Sequence, residues 1–245
     1  MYTYEELIEK YNIICENEKY RNIFVSIMNG NFPDERYDPI ILNYIGIYYE
    51  NIKDYENMKK YYMMSIEMDH SDAMTNMGDY YRMIELDYDM MKKYYMMSID
   101  MNNHYAMYNM GDYYQMIEKD YTMMKKYFMM AIDRGNTDAM NSIGIYYQMI
   151  EEKYDMTKKY FMMAIMKGDM NAMNNMGCYY QDIEKDYNMM EKYYKMAIDK
   201  GNVDAMYNLG NYYTNLGQKY LLMSETKSIK KEVDSIKKIN DIYYI

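Results

Sequence analysis

Several residue types are scarce in this 245-residue chain, and each scarcity excludes a class of protein. The two cysteines, Cys15 and Cys178, lie far apart in sequence, so a disulfide framework is not indicated. The longest apolar runs are far shorter than the ~20 residues that a membrane-spanning helix needs, and the N-terminal segment has no apolar signal core. We therefore predict a soluble, intracellular protein.

Positive charge is also in short supply. Lysine and arginine total 28 against 38 acidic residues, which gives a net charge of −10. Such a surface repels phosphate backbones and anionic lipid unless positive charge is clustered. The sequence therefore predicts neither a nucleic-acid partner nor a membrane partner.

The chain is rich in repetition. A segment that reads DAMTNMGDYY at its first clear occurrence returns four more times, and a weaker copy precedes it. A fixed period of 33 residues, with one interval of 32, is typical of stacked, identical supersecondary units. The glycines that mark this period are Gly46, Gly78, Gly111, Gly144, Gly177 and Gly210.

Each repeat contains two amphipathic stretches with helical spacing, which we call helix A and helix B. In the repeat 72–103, the apolar stripe of helix A is predicted to be Ala73, Met77, Tyr81 and Ile84. That of helix B, which follows Asp87, is Met91, Tyr95, Ser98 and Ile99. Gly78 interrupts helix A at a cost of about 1 kcal/mol relative to alanine, so we expect the backbone of a neighbouring helix to approach it closely.

The turns between repeats also follow a pattern. Residues that tolerate the left-handed conformation are predicted to end each helix B, namely Asp69, Asn102, Gly135, Gly168 and Gly201. The predicted N-caps of the following helix A are Asp72, Asp138, Asn171 and Asp204. A two-helix hairpin of this kind cannot bury its apolar stripe alone, so the hairpins must stack.

The repeats define the domain organisation. Residues 38–216 comprise five and a half repeats, and 1–37 form an N-terminal helical cap in which Thr3 and Glu6 have capping-box spacing. Residues 217–245 are predicted to form a C-terminal capping helix. The predicted fold class is all-α.

The pattern A-M-x-N-x-G-x-Y-Y, D-Y, K-Y-Y-x-x-A-I-x-x-G-x-x-D-A resembles the Sel-one-like repeat (SLR) family, which is related to tetratricopeptide repeats. The resemblance implies a right-handed α-solenoid with helix A on its concave face, a protein-binding scaffold and no catalysis or cofactor. The family's Gly-rich loop between the two helices is absent here. The composition, rich in Met, Asn and Tyr, is similar to repeat proteins of giant DNA viruses, which would place the protein in a host cytoplasm.

The resemblance places partner binding on helix A, where amides could bond the backbone of an extended peptide. A merely solvated polar face is the alternative. Only Arg82 is cationic among these positions, which disfavours a clamp for a terminal carboxylate and favours a neutral or basic segment. The predicted partner-binding residues are Asp79, Arg82, Tyr108, Asp112, Gln115, Asn141, Gln148, Asn174, Gln181 and Tyr207.

No catalytic or metal-binding motif is recognisable. The two histidines, His70 and His104, occupy non-equivalent turn positions and are interpreted as solvated, and Cys178 is interpreted as a structural thiol. Copper binding by the helix-B methionines is disfavoured against a contact surface or ordinary packing; these are Met63, Met96, Met129 and Met162. We predict a non-enzymatic adaptor. A homo-oligomeric structural component is the alternative, ahead of a hydrolase.

Overall fold

The computed structural model describes residues 4–6, 18–29, 38–218 and 230, and within these residues all regular secondary structure is helical. Contacts divide the chain into two compact units, Met1–Ala139 and Met140–Ile245. After the helical residues 4–6, the first unit contains α1 (Glu18–Met28), α2 (Pro39–Asn51), α3 (Tyr55–Ile66), α4 (Ser71–Tyr80), α5 (Tyr88–Asp100), α6 (His104–Tyr113) and α7 (Tyr121–Asp133). Helix α8 (Thr137–Met149) spans the division, and α9 (Tyr154–Met166), α10 (Met170–Tyr179), α11 (Tyr187–Asp199) and α12 (203–218) follow.

Consecutive helices pair into hairpins that match the 33-residue period. The even-numbered helices from α2 to α12 are helices A, and the odd-numbered helices from α3 to α11 are helices B. Helices pack within the hairpins α2–α3, α4–α5 and α6–α7 of the first unit, and within α10–α11 of the second. Contacts also join α3 to α4, α5 to α6 and α9 to α10, so each hairpin buries its apolar stripe against a neighbour.

The turn from helix A to helix B is compact because helix A ends in a single π-helical turn in three repeats. These turns span Tyr81–Glu85, Tyr114–Glu118 and Tyr180–Glu184. One left-handed residue follows each turn, with φ between 54° and 57°, namely Leu86, Lys119 and Lys185. The aspartate after it then caps helix B through its side chain in all three cases. This arrangement replaces the Gly-rich loop that the sequence lacks.

The apolar stripe of helix A differs from the predicted one at its C-terminal end. Ile84, predicted to lie in the core, is 47% exposed, whereas Tyr80 is buried. The same pattern recurs in the repeat of α8, which is α-helical throughout: Tyr146 is buried and Ile150 is 53% exposed. Tyr80 lies three residues after Met77 and therefore on the same face of the helix, whereas the predicted core residue Tyr81 is half-buried. The predicted core residues Ala73 and Met77 are buried, and so are the four predicted for helix B.

The turns between repeats confirm the predicted left-handed residues and correct the predicted caps. Asp69 and Asn102 have φ of 58° and 63°, and the three turn glycines have φ of 87°. The caps of helix A lie two residues before the predicted positions, because the helix begins earlier. The side chains that accept from the first-turn amides belong to His70, Asn103, Asn136, Asp169 and Asn202.

The repeated glycine of helix A accommodates an aromatic ring, whereas the sequence predicted the close approach of a backbone. A Cβ placed on Gly78 would lie 2.5 Å from Cδ1 of Tyr95, which belongs to helix B of the same hairpin. The same conflict, at 2.3 to 2.6 Å, occurs with the equivalent ring at Gly46, Gly111, Gly144 and Gly177. Gly210 in α12 has no atom within 4 Å of that position. The glycine therefore forms the notch into which the helix-B aromatic ring packs.

Successive repeats are also joined by a recurring contact that the sequence analysis missed. Lys92 of α5 lies over the ring of Tyr113 in the next repeat, at 4.9 Å, and donates to Glu118 at 3.2 Å. The Tyr113 hydroxyl donates to the same carboxylate at 2.5 Å. Equivalent lysine–tyrosine–glutamate groups contain Lys59 in the first unit and Lys158 in the second.

At the N-terminal end, residues 4–6 are helical and α1 packs on α2 through Phe24, Ile27, Ile41 and Ile45. The predicted capping box at Thr3 lies outside the described residues, as does most of the predicted C-terminal capping helix. Within the described parts of the chain, no helix is both long enough and apolar enough to cross a membrane.

Candidate interaction face on helix A

The predicted partner-binding residues all lie on helix A or its π-helical end, but most are only partly accessible. Nine of the ten are half-buried, and Tyr207 of α12 is 69% exposed. Tyr108 stacks on the ring of Phe128, with centroids 5.5 Å apart. Some of these side chains are hydrogen-bonded to other side chains within a repeat or between repeats, and a smaller number make no such bond.

Some acceptors on this face are used by tyrosine hydroxyls from helix B. The ring that packs on the repeated glycine is a tyrosine in three repeats, and its buried hydroxyl needs a partner. Tyr95 donates to Asp79, and Tyr194 donates to Gln181 at 3.2 Å. In the first repeat the acceptor is Glu50, to which the Tyr62 hydroxyl donates at 2.6 Å. Where the ring is phenylalanine, at 128 and 161, no such acceptor is required.

Burial has a marked effect on Asp79. Desolvation raises the pKa of its carboxyl from 3.8 to about 6, although the hydrogen bond from Tyr95 and the charge of Arg82 both act to lower the pKa. Arg82 itself donates to Asp112 at 2.5 Å, and both side chains are less than one-third exposed. The only cation among the predicted residues is thus already engaged with one carboxylate of the next repeat.

A ladder of asparagines connects consecutive helices A. In four repeats, the asparagine two residues before the repeated glycine donates to the preceding repeat: Asn76 to Asn43 and Asn109 to Asp79 in the first unit, each at 2.9 Å. In the second unit, Asn175 and Asn208 donate to Asn141 and Asn174, at 2.9 and 3.1 Å. The amide oxygens of the predicted Asn141 and Asn174 therefore help to hold the repeats together. The sequence analysis omitted the donor column, although its recurring asparagines were visible.

Two glutamines on this face keep their hydrogen-bonding capacity. Neither Gln115 in the first unit nor Gln148 in the second is hydrogen-bonded to another described residue, and both are half-buried. A half-buried amide without a protein partner can donate to and accept from a peptide backbone. These two residues are therefore the best candidates among the three predicted glutamines.

A pocket of about 240 Å³ opens between the helices A of the second and third repeats, α4 and α6. Its lining contains two carboxylates, two amides, a hydroxyl and one aromatic ring, from Asp72, Thr75, Asn76, Asp79, Tyr105 and Asn109. Of the predicted residues, only Asp79 lines it.

The other chemistry-bearing side chains have structural partners. His70 accepts from the backbone N–H of Ala73 at 3.3 Å, and His104 pairs with Asn136 at 3.0 Å, so the interpretation of both as solvated turn residues was wrong. Burial raises the pKa of the Cys178 thiol, which disfavours the thiolate that a nucleophile needs. No group of three or more His, Cys, Asp or Glu suited to a metal ion occurs in the described residues.

The helix-B methionines pack at the rim between repeats. Their exposed fractions lie between 37% and 39%. The sulfurs of Met63, Met96 and Met162 accept from a tyrosine hydroxyl of the next helix B, at 3.4 to 3.6 Å. Ordinary packing accounts for these methionines.

Comparison with known proteins identifies the fold. No protein-family profile and no curated protein sequence matches the chain. Among solved structures, a Sel1 repeat protein from Oxalobacter formigenes matches with a TM-score of 0.64 at 23% identity, over 86% of this chain and 89% of that chain. The uropathogenic Escherichia coli protective antigen c5321, which displays an SLR fold, matches with a TM-score of 0.55 at 15% identity, over 87% and 51%.

A third match is the immunity protein PA5088 from Pseudomonas aeruginosa, with a TM-score of 0.50 at 20% identity, over 81% of this chain and 72% of that chain. At these identities the likeness concerns the fold. The predicted all-α solenoid of helical hairpins is confirmed, and the chain has the Sel1-like repeat fold.

Proposed function

We propose that this protein is a non-enzymatic scaffold or adaptor whose helix-A face binds a peptide-like segment of a partner protein. The observation that carries the proposal is that two half-buried glutamines on helix A, Gln115 and Gln148, make no hydrogen bond with any other residue that the structure describes. Exposed tyrosine rings on helices A, Tyr105 at 55% and Tyr207 at 69%, add the amphipathic contact area typical of binding hot spots.

The charge of the face favours a neutral or basic segment. In the first unit, the carboxylates of Asp79 and Asp112 and the acidic Asp72 are accompanied by one guanidinium, Arg82. The net charge of −10 also favours a neutral or basic partner, because it acts over longer distances than the individual contacts. It disfavours nucleic acid and anionic membrane surfaces as partners.

The proposed origin and location of the protein rest on its amino-acid composition. The Met-, Asn- and Tyr-rich sequence supports the proposal that the chain is a viral protein that acts on a host factor in the host cytoplasm. The fold of the solved Sel1-like structures is compatible with a scaffold and supplies no catalytic residue to propose.

A displayed peptide library tests the proposal even while the partner is unidentified. Peptides selected on the wild-type protein should bind several-fold more weakly to Gln115→Ala or to Gln148→Ala, because the half-buried amide is removed. Gln218→Ala is the matched control, since this exposed glutamine lies outside the predicted face and its removal should leave binding unchanged. Equal binding by all three variants would refute a helix-A site.

A homo-oligomeric structural component is the second candidate, and exposed apolar side chains at the turns between helices A and B favour it. Met83, Leu86 and Met116 in the first unit are 72%, 63% and 61% exposed, and Met149 in the second is 68% exposed. Multi-angle light scattering distinguishes the two: a concentration-independent monomer mass supports the adaptor, whereas a stable oligomer supports the alternative.

A further inference from the structure

The pocket between α4 and α6 is rich in oxygen atoms, and several of them make no hydrogen bond with the described residues. Asn76 and Asn109 each direct a side-chain nitrogen to a neighbouring side chain, Asn43 and Asp79, so their amide oxygens remain. The hydroxyl of Thr75 is held between Ser98 and the backbone carbonyl of Ser71. One N–H of each amide also remains. Together with the carboxylates, the lining therefore offers a ligand more acceptors than donors.

The two carboxylates in the lining are each only partly satisfied. Asp72 accepts from Asn103 at 2.7 Å through one oxygen, Oδ1. Asp79 accepts from Asn109 and Tyr95 through its own Oδ1. In both side chains Oδ2 makes no hydrogen bond with the described residues, and a carboxylate can accept about four.

None of the lysines and arginines in the described part of the chain lines this pocket. Arg82 lies near enough to affect Asp79 but donates to Asp112, and no lysine belongs to the lining. Tyr105 of α6 is 55% exposed, and its aromatic ring lines the pocket where a ligand would bind. Cations bind favourably over aromatic faces, by about 0.5 to 2 kcal/mol.

We propose that this pocket is a subsite for a cationic side chain, the lysine or arginine of a bound segment, with Asp72 and Asp79 as its acceptors and Tyr105 as its aromatic wall. The cavity of about 240 Å³ is large enough for one such side chain and too small for a folded element. The inference rests on the proposed peptide-binding function and adds to it the residue type that the first unit recognises.

The test uses a small probe on the full chain. The labelled protein is titrated with N-acetyl-arginine amide, and with N-acetyl-citrulline amide as a neutral probe of nearly the same shape, while NMR follows the side-chain amides of Asn76 and Asn109. Saturable shifts of these signals with arginine, at least ten-fold weaker with citrulline, are the expected result. Equal responses to both probes, shifts located elsewhere, or no shift at tens of millimolar probe would overturn the proposal.

Two variants keep the test independent of folding. Asp79→Asn retains an acceptor for Tyr95 and Asn109 but removes the charge, and Asp72→Asn does the same for the bond from Asn103. Each should reduce arginine affinity at least five-fold with an unchanged circular dichroism spectrum, whereas unchanged affinity in both would contradict the subsite. Peptide selection that depends on Gln115 while this titration fails would leave the scaffold proposal intact and reject the subsite alone.

Discussion

The substitution Gly78→Ala tests whether the repeated glycine exists to accommodate a ring. The new Cβ would lie 2.5 Å from Tyr95 Cδ1, whereas carbon atoms pack best at about 3.5 to 4.0 Å. Tyr95 is fully buried and its hydroxyl is bonded to Asp79, so the ring cannot swing into solvent. Overpacking of this kind costs about 1 to 3 kcal/mol. Alanine regains about 1 kcal/mol of helix propensity, so we expect a net loss of up to about 2 kcal/mol.

Gly210→Ala is the matched control, because no atom lies within 4 Å of its Cβ position in α12. There only the propensity term remains, and the substitution should stabilise its helix by up to about 1 kcal/mol. Urea denaturation gives the global free energies of unfolding, and hydrogen exchange measures the local stabilities of α4 and α12 separately. If Gly78→Ala stabilises the protein as Gly210→Ala does, then packing of the Tyr95 ring does not require a glycine at position 78. A double mutant with Tyr95→Leu should lose less than the sum of the single effects.

Three further predictions concern caps, ion pairs and pH. Asn202→Ala should destabilise α12 by about 1 to 2 kcal/mol in hydrogen exchange because Asn202 caps that helix, whereas Asp204→Ala should cost less than about 0.5 kcal/mol. Lys92→Met should cost no more than about 1 kcal/mol in urea titrations, and the cost should shrink in 1 M salt, since Lys92 and Glu118 are each about one-third or more exposed. The raised pKa of Asp79 means that the folded state binds its proton more tightly than the unfolded state, so its contribution to stability falls as pH rises from about 4 to above 6. Asp79→Asn should therefore stabilise the protein at pH 7.5, by up to about 3 kcal/mol, and by much less at pH 4; an equal effect at both values would contradict the assignment.

The repeat architecture was predictable because each of its determinants is local. The 33-residue period, the start of helix B after Asp87 and the left-handed residues such as Asn102 follow from spacing and backbone preference. The π-helical turn could not be derived in this way. Tyr81, at its first position, stacks on Tyr94 of the next helix with ring centroids 5.5 Å apart, and spacing along the chain does not predict that contact.

The candidate site was less predictable, because it depends on contacts between repeats. Spacing placed Asn141 and Asn174 on helix A, but whether an amide faces a ligand or a neighbouring repeat is decided by the stacking. The same holds for Arg82, whose pairing with Asp112 links residues 30 positions apart. The assignment of the binding face to helix A remains a prediction.

Hydrogen exchange with a selected peptide tests the central claim, binding on helix A, most directly. A peptide recovered from the library, added at saturation, is expected to slow exchange in α6 and in the π-helical turn after it, which contains Gln115, and to leave the helices B α5 and α7 unchanged. Protection confined to α5 and α7, or to the turn around Met83, would contradict that claim.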